Sequence, residues 1–216
     1  MITRALPATI AASVEHRLVI KKSVFLTNVI PVTSVEAADD VVAAIRKRHW
    51  DARHHCTALV VGVEADRQRS SDDGEPAGTA GVPMLGVLRQ RHVTDVVAVV
   101  SRWFGGVKLG AGGLVRAYGS AVSAALDEAA WVDRVPLTSL SMDVDQADAG
   151  RVLSSLHAWC ARHDAVLDEP TYGAVVTLGL RVAPDSVEAA RAEVAALTAG
   201  AVEAHVGDTL IVDRRR

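Results

Sequence analysis

Cysteine is scarce in this chain: Cys56 and Cys160 are the only two in 216 residues, they lie far apart, and no Cys-x-x-Cys occurs. That pattern excludes a disulfide framework and points to a reducing, cytoplasmic setting. Half of the residues are hydrophobic and the mean hydropathy is +0.21. Yet no run of about 18 apolar residues exists to span a bilayer, so no membrane partner is expected. Positive charge is not in excess either, with 23 Lys and Arg against 26 Asp and Glu, a net charge of −3. A generic basic coat for nucleic acid is thereby excluded. Aromatic residues make up 4% of the chain, which leaves few side chains for base stacking.

Glycine, by contrast, is concentrated. Ten of the 16 glycines fall between Ser70 and Ala125. Glycine costs backbone entropy wherever a side chain could have packed, so such clusters mark sharp turns or close backbone approaches. One cluster is acidic, Asp72-Asp73-Gly74-Glu75-Pro76-Ala77-Gly78-Thr79-Ala80-Gly81; the other is basic, Arg102 to Tyr118. No Asp or Glu occurs between Val96 and Leu126, whereas Arg102, Lys108 and Arg116 all do.

Along the chain, Met1–Val14 reads as an edge strand rather than a signal peptide. Ala8–Val32 is β-rich, with Lys21 and Lys22 as solvated strand positions. Ser34 caps a helix to His49 on which Val35, Ala38, Val41, Val42 and Ile45 recur at helical spacing. Its last turn, Arg46-Lys47-Arg48-His49, suits the negative end of the helix dipole. Cys56–Val63 is a buried strand and Glu64–Arg69 a polar hairpin turn. Gly81–Arg91 is a short helix capped by Thr79, with Val82, Leu85 and Leu88 inward, and Val93–Val100 is a central strand. An amphipathic helix runs from Leu114 towards Trp131.

Charge balance changes near Asp133–Leu137. Residues 1–135 carry 16 basic and 14 acidic side chains, residues 136–216 carry 7 and 12. We place a domain boundary there, which assigns any polyanion to the first half. The second half reads strand (Leu137–Val144), helix (Gln146–His163), strands (Ala165–Asp168, Tyr172–Val182), helix (Asp185–Thr198), strand (Val202–Val212). That βαββαβ order is ferredoxin-like, in an α+β chain of two domains.

Two readings of the basic loop stand. The amides of Gly110, Gly112 and Gly113 at a helix start, flanked by Lys108 and Arg116, form a cradle for phosphate or carboxylate, with Arg102 nearby. Alternatively, the glycines serve close strand–helix packing. No Walker sequence and no full dinucleotide fingerprint occurs, and no cofactor is implied. In the acidic loop, Asp72, Asp73 and Glu75 either hold a divalent ion or act as acid and base, or they pair with Arg102 and Arg116 and fix both loops. His54, His55 and Cys56 alternate faces on an extended chain and do not converge on one metal ion. His54 is expected hydrogen-bonded at the site edge, and Trp103 stands at the same edge. Ser101 and Ser120 have no neighbouring base in the sequence.

The two glycine blocks, with Lys21-Lys22-Ser23-Val24-Phe25 and Asp51-Ala52-Arg53-His54-His55-Cys56, resemble the signature blocks of the IMPACT family, in its bacterial YigZ-like branch. Val24, His55 and Trp103 depart from the usual Arg, Asn and Tyr. The resemblance implies an N-terminal domain with the fold of translation-factor and ribosomal-protein domains, including a left-handed βαβ crossover, and a small C-terminal domain for scaffolding or partner docking. It implies a non-catalytic role in translation through contact with RNA, the ribosome or a translation regulator. A small anionic ligand and a metal-assisted hydrolase are the competing expectations.

Overall fold

In the computed structural model, which describes Leu6–Arg215, alternation of apolar and polar residues builds the first hairpin. After β1 (Thr9–Ile10), strand β2 (Val14–Ile20) alternates half-buried and exposed positions and pairs with β3 (Ser23–Pro31). Pairing of Ile20 with Ser23 leaves Lys21 and Lys22 as a two-residue turn, with φ of 46° and 65°. They are therefore turn residues, not the strand positions expected from the sequence. Such a turn needs positive φ at both positions whatever residues fill it. The expected strand over Met1–Val14 lies partly outside the described residues, at Met1–Ala5; the described part forms only β1 and the start of β2.

Helix α1 (Val35–Arg48) is capped by Ser34, whose Oγ accepts from Ala37 N at 3.1 Å. Strands β4 (His54–Val61) and β5 (Arg67–Ser71), helix α2 (Gly81–Gln90), strand β6 (Val96–Trp103) and helix α3 (Ala111–Asp127) follow. The sheet order is β2-β3-β6-β4-β5 with antiparallel neighbours, so β3 and β4 run parallel on either side of β6, joined through α1. β6 is buried on both faces, hence its unbroken run of β-branched residues. Val97 and Val99 pack with Ala38 and Ile45 of α1, while Val96, Ala98 and Val100 pack with Met84 and Leu88 of α2 and Leu114, Tyr118 and Val122 of α3.

Three expectations are corrected here. Arg67–Arg69 belongs to strand β5, an exposed polar edge without the apolar alternation that marks a strand. Helix α2 turns Met84 and Leu88 inward and leaves Val82 exposed. Nor does Thr79 cap α2: its hydroxyl donates to Pro76 O at 2.6 Å, and Asp72 Oδ1 accepts from Ala80 N and Gly81 N at 2.9 and 2.8 Å. A carboxylate eight residues upstream supplies the acceptor that a helix start requires.

β7 (Trp131–Val144) starts beside β1, through Ile10 and Trp131, and runs through Asp133–Pro136 without a break. Beyond it lie α4 (Gln146–His163), β8 (Val166–Leu167), β9 (Thr171–Tyr172), β10 (Val176–Val182), α5 (Val187–Leu197) and β11 (His205–Arg215). The order β11-β7-β10-β8 is the ferredoxin-like one, and the architecture is α+β with antiparallel sheets. The single strand expected over Tyr172–Val182 is a small hairpin instead, β9 folding back on β10. Leu140, Met142, Leu178 and Leu180 on the sheet bury against Val152, Leu156 and Trp159 of α4.

Two compact units result, one running to Arg134 and one over Val135–Asp213. The second has its own core. We propose that it is an independent folding domain. A fragment of residues 135–216 is expected to unfold in a single cooperative transition in urea, followed by circular dichroism. A fragment without a cooperative transition would refute independence.

Candidate functional site

The centre of the first unit's chemistry is a buried ion pair. Arg102, at the end of β6, is 6% exposed, and its Nη1 donates to Glu75 Oε1 at 2.5 Å. Tyr118 of α3 donates its hydroxyl to the same oxygen at 2.8 Å. Burial pushes the Tyr118 hydroxyl far above its ordinary pKa, so it remains a donor. Arg102 Nη2 reaches Ser23 Oγ only at 3.5 Å, and its Nε has no hydrogen-bond partner. The guanidinium is thus held by Glu75 and, weakly, by Ser23, with one wholly buried N–H left over.

The other two acids of the loop are engaged inside the fold. Asp72 accepts from the backbone N–H groups of Gly78, Ala80 and Gly81. Burial acts to raise its pKa, but these three bonds outweigh burial and hold the carboxyl below its ordinary value. Asp73 pairs with Arg46 at 2.5 Å and accepts from His55 N at 2.6 Å, while its carbonyl accepts from His54 Nδ1 at 2.8 Å. Among the described residues, therefore, neither Asp72 nor Asp73 meets Arg116, and no three His, Cys, Asp or Glu side chains group as metal ligands.

Above Arg102 opens a cleft of about 430 Å³. Arg53, His54, Glu75, Arg102 and Lys108 supply its polar lining; Pro76, Phe104, Leu109 and Leu114 supply its apolar wall. Gly110 stands at its edge with φ of 72°, beginning α3 without a side-chain cap. Left-handed backbone with open space around it favours glycine there. Gly105 is a packing glycine instead: a Cβ would sit 2.0 Å from the Lys22 carbonyl carbon.

The six residues read from sequence as an anion or partner site are divided by the fold. Arg102, Lys108 and Gly110 line the cleft; Gly113 and Arg116 line a neighbouring depression of about 220 Å³ with Lys21; Gly112 lines neither. Arg116 is exposed and has no ion-pair partner among the described residues. Trp103 lies outside the cleft, stacked edge-on to His49 and donating to Asp51 Oδ2 at 2.9 Å. Arg53 was not legible as a site residue. It joins the cleft because His54 pairs with Arg102 across β4 and β6, which also lets Arg53 N donate to Arg102 O. Tyr118 carried one signal, since a hydroxyl on a buried helical stripe requires a partner.

Cross-strand register also gives Ser101 a base that its sequence neighbours do not. His55 Nδ1 lies 2.9 Å from Ser101 Oγ. Ser101 is wholly buried, so the pair is not placed to attack a substrate. Burial also lowers the His55 pKa and raises that of Cys56 to about 12, which leaves an inert thiol.

The three acids make distinct predictions. Glu75→Ala strands the buried Arg102 charge and is expected to cost about 3–5 kcal/mol in urea unfolding. Arg46→Ala breaks only a partly exposed pair with Asp73 and is expected to cost about 0–1 kcal/mol. Equal costs would contradict the assignment. Asp72→Asn keeps an acceptor oxygen but removes the negative charge at the start of α2, roughly 0.3–1 kcal/mol at neutral pH. Because the folded carboxyl titrates below the unfolded one, this difference is complete above the ordinary carboxylate range. It vanishes as pH falls through the lowered value. A difference constant down to strong acid would contradict it.

Residues 21–126 match the Impact N-terminal domain, and residues 153–201 match the Domain of unknown function (DUF1949). IMPACT family member YvyE of Bacillus subtilis (strain 168) is 43% identical over 148 residues, 68% of each chain. IMPACT family member YigZ of Escherichia coli (strain K12) is 38% identical over 200 residues, 92% of this chain and 95% of that one. A crystal structure of a hypothetical protein, 36% identical, aligns over 95% of this chain and 98% of that one with a TM-score of 0.59. With relatives of one name aligned over nearly its whole length, and with family matches in each of its two units, this chain belongs to the IMPACT family.

Proposed function

We propose that this chain is a non-catalytic binding protein of translation, and that it takes a phosphate group of RNA in the cleft above Arg102. The observation that carries the reading is Arg102 itself. A guanidinium buried at this depth, fixed by Glu75 and lining the cleft, is a preorganised anion receptor. Arg53 and Lys108 at the rim bring the cleft to three cations against one carboxylate. Helix α3 adds the partial positive charge of its start, with no acid in its first turn.

A role in binding rather than catalysis is supported by how the reactive groups are spent. Ser101 and His55 face each other within the sheet, Cys56 Sγ donates to Asp72 O, and the acids of the loop cap, clamp and pair. The connection to translation comes from kinship: the chain is 34% identical over 95 residues to a mammalian relative, Protein IMPACT of Rattus norvegicus. That match covers 42% of this chain and 29% of the relative. A cytoplasmic site of action follows from the same reading.

The test is the salt dependence of binding to a short single-stranded RNA, followed by fluorescence anisotropy. One phosphate neutralised in the cleft of a single strand gives a slope of log K against log salt of about −0.7. Lys108→Ala is expected to weaken the binding at low salt. A slope near zero, or no binding at low salt, would overturn the RNA reading.

A further inference from the structure

The cleft offers more than cations. The Arg102 guanidinium carbon lies 5.3 Å from the Phe25 ring centroid and 5.9 Å from that of Phe104. Phe25 is wholly buried, whereas Phe104 is 47% exposed on the cleft wall, continued by Leu109 and Leu114. Glu75 is 9% exposed; Oε1 receives both Arg102 and Tyr118, and Oε2 has no hydrogen-bond partner among the described residues. One small space therefore presents cations, an open aromatic face and a carboxylate with acceptor capacity left over.

Resting on the anion reading above, we propose that the unit bound in this cleft is a nucleoside phosphate. Its phosphate meets Arg53, Lys108 and the Arg102 guanidinium at the cleft wall; its base lies on Phe104; a sugar hydroxyl donates to Glu75. Bare phosphate matches the cations but wastes the apolar wall and is repelled by Glu75. A zwitterionic amino acid matches Glu75 with its ammonium and one cation with its carboxylate, leaving two cations unanswered. The volume, about 430 Å³, lies within the range of small-molecule sites. The same unit is available as a free nucleotide or as one residue of an RNA strand.

Calorimetric titration of the full chain with adenosine 5′-monophosphate and, separately, with inorganic phosphate tests this. The nucleotide is expected to bind at least about tenfold more tightly than phosphate, the scale of one base stacked on an aromatic ring. Phe104→Ala is expected to remove most of that advantage over phosphate measured on the same variant, and Phe104→Trp to keep it. Phe104 is exposed, so both variants should retain the parent's thermal unfolding. Displacement of the nucleotide by a four-residue RNA would identify the strand as the source; binding without displacement would identify the free nucleotide, and the proposal stands either way. Phosphate and nucleotide binding equally well, or Phe104→Ala leaving the nucleotide unaffected, overturns the nucleoside assignment and spares the anion reading. Binding of neither ligand overturns both.

Discussion

The buried pair of Arg102 and Glu75 ties together four elements that the chain supplies at wide intervals. Arg102 closes β6, Glu75 sits in the acidic loop, Tyr118 projects from α3, and Ser23 opens β3. Each charge alone would carry several kcal/mol of desolvation at this depth, so neither persists without the other. A pair of hydrophobic residues of similar volume would often stabilise such a core at least as well. Retaining the ions makes sense where one of them has a second task, and Arg102 lines the cleft where it can have one.

The loops around the pair are built to keep it in place. Asp72 holds the start of α2 through three amides, and Asp73 joins the first residues of β4 to Arg46 of α1. Gly105 lets the basic loop lie directly on the Lys21–Lys22 turn, where any side chain would collide with backbone. The glycine density of this stretch thus divides between packing, as at Gly105, and an open left-handed helix start, as at Gly110. The packing reading holds at Gly105, against a turn, while Gly110 is required by its backbone conformation.

What was legible in the chain was what its own neighbours determine. Ser34 three residues ahead of Ala37, the Val-rich centre of β6 and the βαββαβ order after Pro136 all follow from local pattern. Features set by distant pairing were not legible. The Asp72 cap reaches over a loop, β5 carries no apolar alternation, and Arg53 and Ser101 find their partners only through the register of β4 on β6. The division of the basic set follows the same rule: Arg116 lies far enough along α3 from Gly110 to face Lys21 instead.

The central claim is that Arg102, oriented by Glu75, receives an anion from the cleft. Crystals of the full chain soaked in dilute phosphate test it directly. The account predicts phosphate density within hydrogen-bond distance of Arg102, bridged to Arg53 or Lys108. An empty cleft, or phosphate bound only beside Lys21 and Arg116, would contradict it.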